Sequence, residues 1–178
     1  MAIKATIFKA QLNIADMNRN YYGDHALTIA RHPSENDERM MVRLLTFALN
    51  ASETLNFTKG ISTDDEPDLW QKNLSGEIEL WIELGQPDEK RIRKACARAD
   101  RVIIYTYQPR SASVWWQQIE SQLTRFNNLN VYHLPDDVAS QLAELASRSM
   151  QLQCTIQDGE AWFSDSEHNL NITLAKWK

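Results

Sequence analysis

DDEPDLWQKNLSGEIELWIELGQPDEKRIRKACARADR, residues 64–101, is the stretch from which the fold follows. Asp64 to Pro67 reads as a turn or loop, since Asp and Pro favour one. An acid, Asp68, stands directly after Pro67. Glu77 to Leu84 reads as a strand, with Ile78, Leu80, Ile82 and Leu84 on an apolar face and Glu77, Glu79, Trp81 and Glu83 on the other. Pro87 suits the first turn of a following helix, whose positive end Asp88 and Glu89 favour. That helix places Ile92, Ala95, Cys96 and Ala99 on one side and Lys90, Arg91, Lys94, Arg98 and Arg101 on the other. Val102 to Tyr107 shows little polar alternation, as expected of a central strand buried on both faces. Two carboxylates from adjacent strands, followed by a basic helix, could hold a divalent metal beside a phosphate backbone.

Outward from this stretch, Ala5–Leu12 and Ala26–Arg31 alternate polar and apolar residues around the turn-like Asn18–Asp24. This predicts a β-hairpin over 5–31. Ser34 with Asp37 three residues on predicts a capped helix start, and Met40, Met41, Leu44, Leu45, Phe47 and Ala48 follow at helical spacing. Thr54–Thr58 is a short strand. Ser113–Phe126 is a helix, Val131–Leu134 a strand, and Pro135-Asp136-Asp137 opens a helix to about Arg148. Asp158-Gly159 marks a hairpin turn, and Leu170, Ile172 and Leu174 form a last alternating run. With no linker, repeat or low-complexity segment, residues 1–178 are expected to form a single α/β domain. Its mixed sheet would be flanked by helices, with β-hairpins added.

The 178 residues suffice for one domain with a real core. Five Gly and five Pro argue against a disordered or collagen-like chain. A net charge of −5 means that any phosphate partner would have to meet a local basic patch. Cys96 and Cys154 are too few for a disulfide framework and point to a reducing compartment. The opening MAIKATIFKAQLNIAD lacks the apolar run of a signal peptide, and no segment approaches ~18 apolar residues, the length of a membrane span. A cytoplasmic location is expected.

The order helix, strand, acid, strand with acid, helix, strand resembles the core of the PD-(D/E)XK nuclease superfamily. At finer grain, His32–Glu35, Asp37–Leu45, Phe57–Gly60, Asp64–Trp70, Trp81–Glu89 and Lys94–Cys96 are similar to the YaeQ family of small bacterial proteins. The likeness covers nearly the whole chain. It implies a PD-(D/E)XK nuclease-like, restriction-endonuclease-like core, and it implies no settled activity. Asp68 takes the place of the motif's first acid and Glu83 that of the second. The motif then wants lysine two positions on, where this chain has Gly85, followed by Gln86.

In such a site Asp68 and Glu83 would hold Mg²⁺ or Mn²⁺, hard cations suited to oxygen ligands, and the metal would activate a water. Gln86 can orient that water but brings no charge, a deficit of roughly 10²–10³ in rate by analogy with losing one transition-state donor. Two expectations therefore stand: a metal-dependent nucleic-acid phosphodiesterase, or a catalytically inactive module on the same fold that binds nucleic acid or protein. Glu79 could join or replace Glu83 as ligand, because three acids on one strand face repel unless a cation sits among them. The plainer reading is a solvated acidic face. Asp68 could equally be a turn acid. Glu38, extending the buried stripe of its helix, is a further candidate for assisting the site, or simply a first-turn acid favoured by the helix dipole.

Lys94 projects outward, while Lys90 and Gln86 stand at the helix entrance, nearer the strand end. The stripe of Lys90, Arg91, Lys94 and Arg98, with Arg110 after a strand end, could contact nucleic-acid phosphates; a solvated basic face accounts for it equally well. The tryptophans and tyrosines more often fill cores than stack bases. No Gly-rich phosphate loop, G-x-S-x-G elbow or H-E-x-x-H motif is present, and the cysteines lack zinc-ligand spacing.

Overall fold

The alternation over 5–31 becomes a long antiparallel hairpin, β1 (Thr6–Asp16) and β2 (Tyr21–Arg31), in register from Thr6↔Arg31 to Asp16↔Tyr21. There follow α1 (Asp37–Asn50), β3 (Leu55–Phe57), β4 (Leu69–Lys72), β5 (Ile78–Leu84) and α2 (Glu89–Arg98). Next come β6 (Ala99–Thr106), α3 (Ser111–Leu123), β7 (Leu129–His133), α4 (Val138–Ala143), β8 (Ser149–Gln157), β9 (Glu160–Ser164), β10 (Asn169–Thr173) and β11 (Ala175–Lys176). This computed structural model describes residues 4–59, 61, 63 and 65–178; Gly60 and Asp64, named above in the resemblance and the turn, lie outside them.

The chain folds as α/β with mixed sheets flanked by helices, gathered into two units that the backbone visits alternately. Residues 1–51 and 137–174 form the first, whose described strands make a five-stranded sheet in the order β10-β9-β8-β1-β2. The β1–β8 pair is parallel and the other pairs are antiparallel. Phe8, Ala10, Leu12 and Ile14 alternate inward from β1, as a half-buried strand requires. The Asp158-Gly159 turn joins β8 to β9 with both residues at positive φ (52° and 82°), the type I′ geometry that its sequence favours.

Helix α1 is capped by Asn36 rather than the expected Ser34. The Asn36 side chain accepts the Arg39 N–H at 2.9 Å, whereas the Ser34 hydroxyl is engaged with His32 Nδ1 at 2.6 Å. The helix expected from 135 to about 148 shrinks to the six residues of α4.

Residues 52–136 and 175–178 form the second unit, whose described strands make a six-stranded sheet in the order β11-β7-β6-β5-β4-β3. Its centre, β5-β6-β7, is parallel, and the flanking pairs are antiparallel. Pro87 does not enter the first turn of α2: Asp88 is the N-cap, accepting the Arg91 N–H at 2.8 Å, and Pro87 stands before it. The helix also ends sooner than its charge pattern suggested, so Arg101 belongs to β6.

The alternative of a solvated acidic face on β5 holds only at its start, where Glu77, just before the strand, is exposed and Glu79 is half-buried. Trp81 (2 % exposed) and Glu83 (5 %) are buried on it, because α2 packs over this side and brings Ile92 and Ala95 into one cluster with Trp81, Val102 and Ile104. Burying a side chain such as Ile92 stabilises by about 1.5–3 kcal/mol, so this packing holds α2 to the sheet with its N-terminal turn beside the end of β5.

Candidate functional site

Asp68 and Glu83 meet because β4 and β5 are antiparallel neighbours. Leu69 pairs with Ile82, and the Asp68 N–H donates to the Ile82 carbonyl at 3.0 Å, so the residues just beyond this pair come side by side. Both carboxylates are buried, Asp68 at 3 % exposure. Asp68 Oδ2 accepts the Leu84 N–H at 2.9 Å. Glu83 Oε1 is crowded with donors: Trp81 Nε1 at 2.9 Å, Arg91 Nε at 2.9 Å and Arg91 Nη2 at 2.8 Å. Arg91 Nη2 also donates to the Glu66 carbonyl at 2.8 Å, which ties the turn before Asp68 to α2.

Burial pushes the Glu83 carboxyl above its ordinary value, and the Asp68 charge adds to this; the Arg91 and Trp81 hydrogen bonds pull the other way without cancelling it.

Arg91 therefore does not belong to an outward stripe. It sits at the third residue of α2, one turn from the end of β5, with its head turned in toward Glu83. The other candidates disperse. Glu79 lies two residues beyond Trp81 on the same strand face and accepts from Gln71 Nε2 at 3.1 Å. Glu83 is four steps further along the strand, roughly 13 Å at the usual rise, so the two do not share a ligand sphere. Gln86 donates through Nε2 to Gln108 Oε1 at 2.7 Å and Ser111 Oγ at 2.8 Å, which binds the two loops at this sheet end together. Arg110 is exposed beside Ser111, with φ of 63°. Gly85, at the position where the motif has lysine, adopts φ of 94°, a conformation open to glycine and strained for a lysine.

Lys94 is exposed as expected and pairs with Asp65 at 2.9 Å; the Lys94 contact holds the Asp65 carboxyl below its usual value. Arg98 donates to the Asp65 carbonyl at 2.9 Å and stacks over Trp81 at 5.1 Å. A surface pocket of about 390 Å³ opens here, lined by Asp88, Lys90, Arg91 and Lys94. Glu38 belongs to the other unit, half-buried in the first turn of α1.

The donor atoms of Asp68 and Glu83 are of the right kind for a hard cation, but the place beside Glu83 Oε1 is held by a guanidinium. Among the described residues, no three of His, Cys, Asp and Glu gather as a metal-holding group. The pair as arranged does not fit a resident metal.

Two clusters escaped the sequence reading. In the first unit, buried Glu35 accepts Arg43 Nη2 at 2.5 Å and Arg39 Nη1 at 3.0 Å, and Arg43 Nη2 reaches the Ala30 carbonyl at 3.0 Å. The four-residue spacing of 35, 39 and 43 was its signal. In the second unit, Thr106 Oγ1 lies 2.7 Å from His133 Nδ1, and His133 Nε2 lies 3.3 Å from Asp136. Despite the resemblance to a nucleophile–base–acid chain, Thr106 is 0 % exposed and Trp177 stacks on His133 at 4.5 Å, so this chain of contacts fastens β6 to β7. Nor is either cysteine poised as a nucleophile, since burial pushes the Cys96 thiol up to about 11 and the Cys154 thiol up to about 12.

Fold and site together define a mixed α/β protein with a buried acid pair closed by an arginine. The chain belongs to the YaeQ family, matching the YaeQ protein family over residues 1–174. It is 53 % identical to YaeQ of Salmonella typhi and 51 % identical to YaeQ of Escherichia coli K12, in each case over 100 % of this chain and 98 % of the relative. The crystal structure of YaeQ from Xanthomonas axonopodis pv. citri superposes with a TM-score of 0.95 at 43 % identity, covering 98 % of both chains. That of Pseudomonas syringae YaeQ gives 0.94 at 35 % identity, covering 98 % of this chain and 96 % of that one. Among the described residues no helix is long and apolar enough to cross a membrane.

Proposed function

We propose that the second unit is a nucleic-acid-binding module built on a PD-(D/E)XK nuclease-like frame, with Arg91 standing where a catalytic metal would stand. The observation that carries this reading is the Arg91 fork on Glu83 beside Asp68. It supplies a fixed positive charge to the acid pair and leaves Lys90 and Lys94 around the pocket at the start of α2. The Lys94–Asp65 pair is exposed, and exposed pairs are worth ~0–1 kcal/mol, so Lys94 can exchange its partner for a phosphate at little cost. Arg91 and Arg98 keep internal roles, and phosphate contact falls to Lys90 and Lys94 with Arg110 as an outlying cation.

The test is fluorescence anisotropy with labelled single- and double-stranded DNA and RNA across a salt series. Binding should weaken with salt. Lys90→Ala with Lys94→Ala should lower the salt slope by about 2, one per lost phosphate contact. Binding untouched by that double variant, or no binding at low salt, contradicts the proposal.

A second reading, Mg²⁺- or Mn²⁺-dependent phosphodiester hydrolysis, is favoured by one observation. Antiparallel β4 and β5 bring the buried carboxyls of Asp68 and Glu83 side by side, oxygen donors of the kind a hard cation takes. In that reading Asp68 and Glu83 are the ligands, and the metal supplies a Lewis acid. It requires Arg91 to leave Glu83, and metal-dependent cleavage lost in Asp68→Ala would establish it.

A further inference from the structure

A second concavity lies in the first unit, away from the charges of α2 in sequence and in composition. It encloses about 720 Å³ over the outer face of the five-stranded sheet, and every residue that lines it comes from the first unit. Its floor is made of amides. Gln11 and Asn13 of β1 pair in parallel register with Gln151 and Gln153 of β8, so four carboxamides stand as two adjacent rungs.

One wall is β2, where Asp24 is held by Asn13 Nδ2 at 2.6 Å. The other is the turn between β9 and β10, with Asp165 and Ser166. That turn is pinned: Asp165 Oδ1 accepts the N–H groups of Glu167 at 2.8 Å and His168 at 2.7 Å, and His168 Nδ1 lies 3.0 Å away. The amide surface continues past the pocket. Ser164 pairs with Gln153 and with Asn169, and one rung on Trp162 pairs with Thr155 and with Asn171. These partners share the outer face, with Trp162 half-buried and the two asparagines exposed.

We infer that this face binds a neutral oligosaccharide. Each carboxamide offers both donors and an acceptor in a plane, the pattern that matches vicinal hydroxyls, which also donate and accept. Asp24 and Ser166 add acceptors for hydroxyl protons. No Lys or Arg is among the residues lining the pocket, so phosphates and carboxylates find no counter-charge there. Asp24 and Asp165 accept hydrogen bonds from the protein but keep their charge, so an amine is the competing ligand for this face and is tested beside the saccharides. Trp162 offers a flat apolar surface with a polar edge at the end of the amide rungs, suited to the C–H face of a pyranose ring. A rigid floor on paired strands and a pinned wall are the pre-formed support that a small-molecule site needs.

The experiment is a titration of the ¹⁵N-labelled full chain with maltohexaose, cellohexaose and chitohexaose at millimolar concentration, with spermine as a separate arm. The carboxamide NH₂ signals of Gln11, Asn13, Gln151 and Gln153 and the indole signal of Trp162 should move with at least one hexasaccharide. The same saccharide should bind roughly tenfold more weakly to the Gln11→Ala, Gln151→Ala double variant, the size expected from losing a pair of net hydrogen bonds. Both side chains are exposed, and the unshifted remainder of the variant's spectrum checks that it is folded. No movement with any of the three saccharides overturns the inference, as does equal binding by the double variant. Movement of the same signals by spermine and by no saccharide would also overturn it, making the face an amine site.

Discussion

Glu83 and Arg91 concentrate the chemistry of this protein in one buried contact. A carboxyl whose folded value is raised holds its proton more readily when folded than when unfolded. Its contribution to stability therefore falls as pH rises from the ordinary Glu range through the raised folded value. Glu83→Gln removes that fall, so urea unfolding followed across this window should give a flatter pH profile for the variant than for the parent; identical slopes would contradict the assignment. Arg91→Ala leaves the carboxylate buried without its cation and should cost about 2–4 kcal/mol in the same assay at neutral pH, somewhat less than the ~3–5 kcal/mol of fully buried pairs because Arg91 is partly open to solvent.

The acids were legible in the sequence because Pro67-Asp68 and the strand around Glu83 carry local signals. The partner was not. Helical projection put Arg91 on the solvent side, whereas a long side chain in the first turn of α2 can fold back over the strand end, a choice set by tertiary packing. The exchange of lysine for Gly85 was visible, but its backbone reason, a positive φ, was not.

At the scale of elements, the long periodic segments declared themselves: the β1–β2 hairpin, α1, β5, β6 and the β8–β9 hairpin with its Asp-Gly turn. Boundaries were set by caps that compete locally. Ser34 and Asn36 each stand three residues before a helical amide, and the structure chooses Asn36. Asn36→Ala should lower stability by about 1 kcal/mol, and Ser34→Ala should stay within about 0.5 kcal/mol; thermal or urea unfolding of the two variants checks this, and the reverse order would contradict the assigned cap. The β11 strand was not legible, because two residues carry no period. The second face of β5 left two readings open in sequence, a solvated acidic face or a site, and only the packing of α2 over Trp81 decided that its far end is buried.

Across the whole molecule, each unit is assembled from two separate stretches of chain, so each sheet is complete only when distant segments return. In the second unit the returning piece is Ala175–Lys178, where Trp177 stacks on His133 at 4.5 Å and on Trp116 at 5.7 Å. Trp177→Ala should therefore cost about 2 kcal/mol, below the usual range for a fully buried tryptophan because this one is half-buried. Hydrogen exchange in β6 and β7 should report the loss, and unchanged protection there would contradict the role given to this contact. A periodicity reading cannot see such returns, since they join residues whose local patterns are independent.

The central claim is that Arg91 fills the cation's place beside Asp68 and Glu83, and Mn²⁺ titration calorimetry tests it most directly. The measurement compares the unmodified chain with Asp68→Ala and Glu83→Ala. No micromolar binding in any of the three is the result expected here. Micromolar binding by the unmodified chain, lost in both variants, would contradict it and establish a working two-carboxylate metal site.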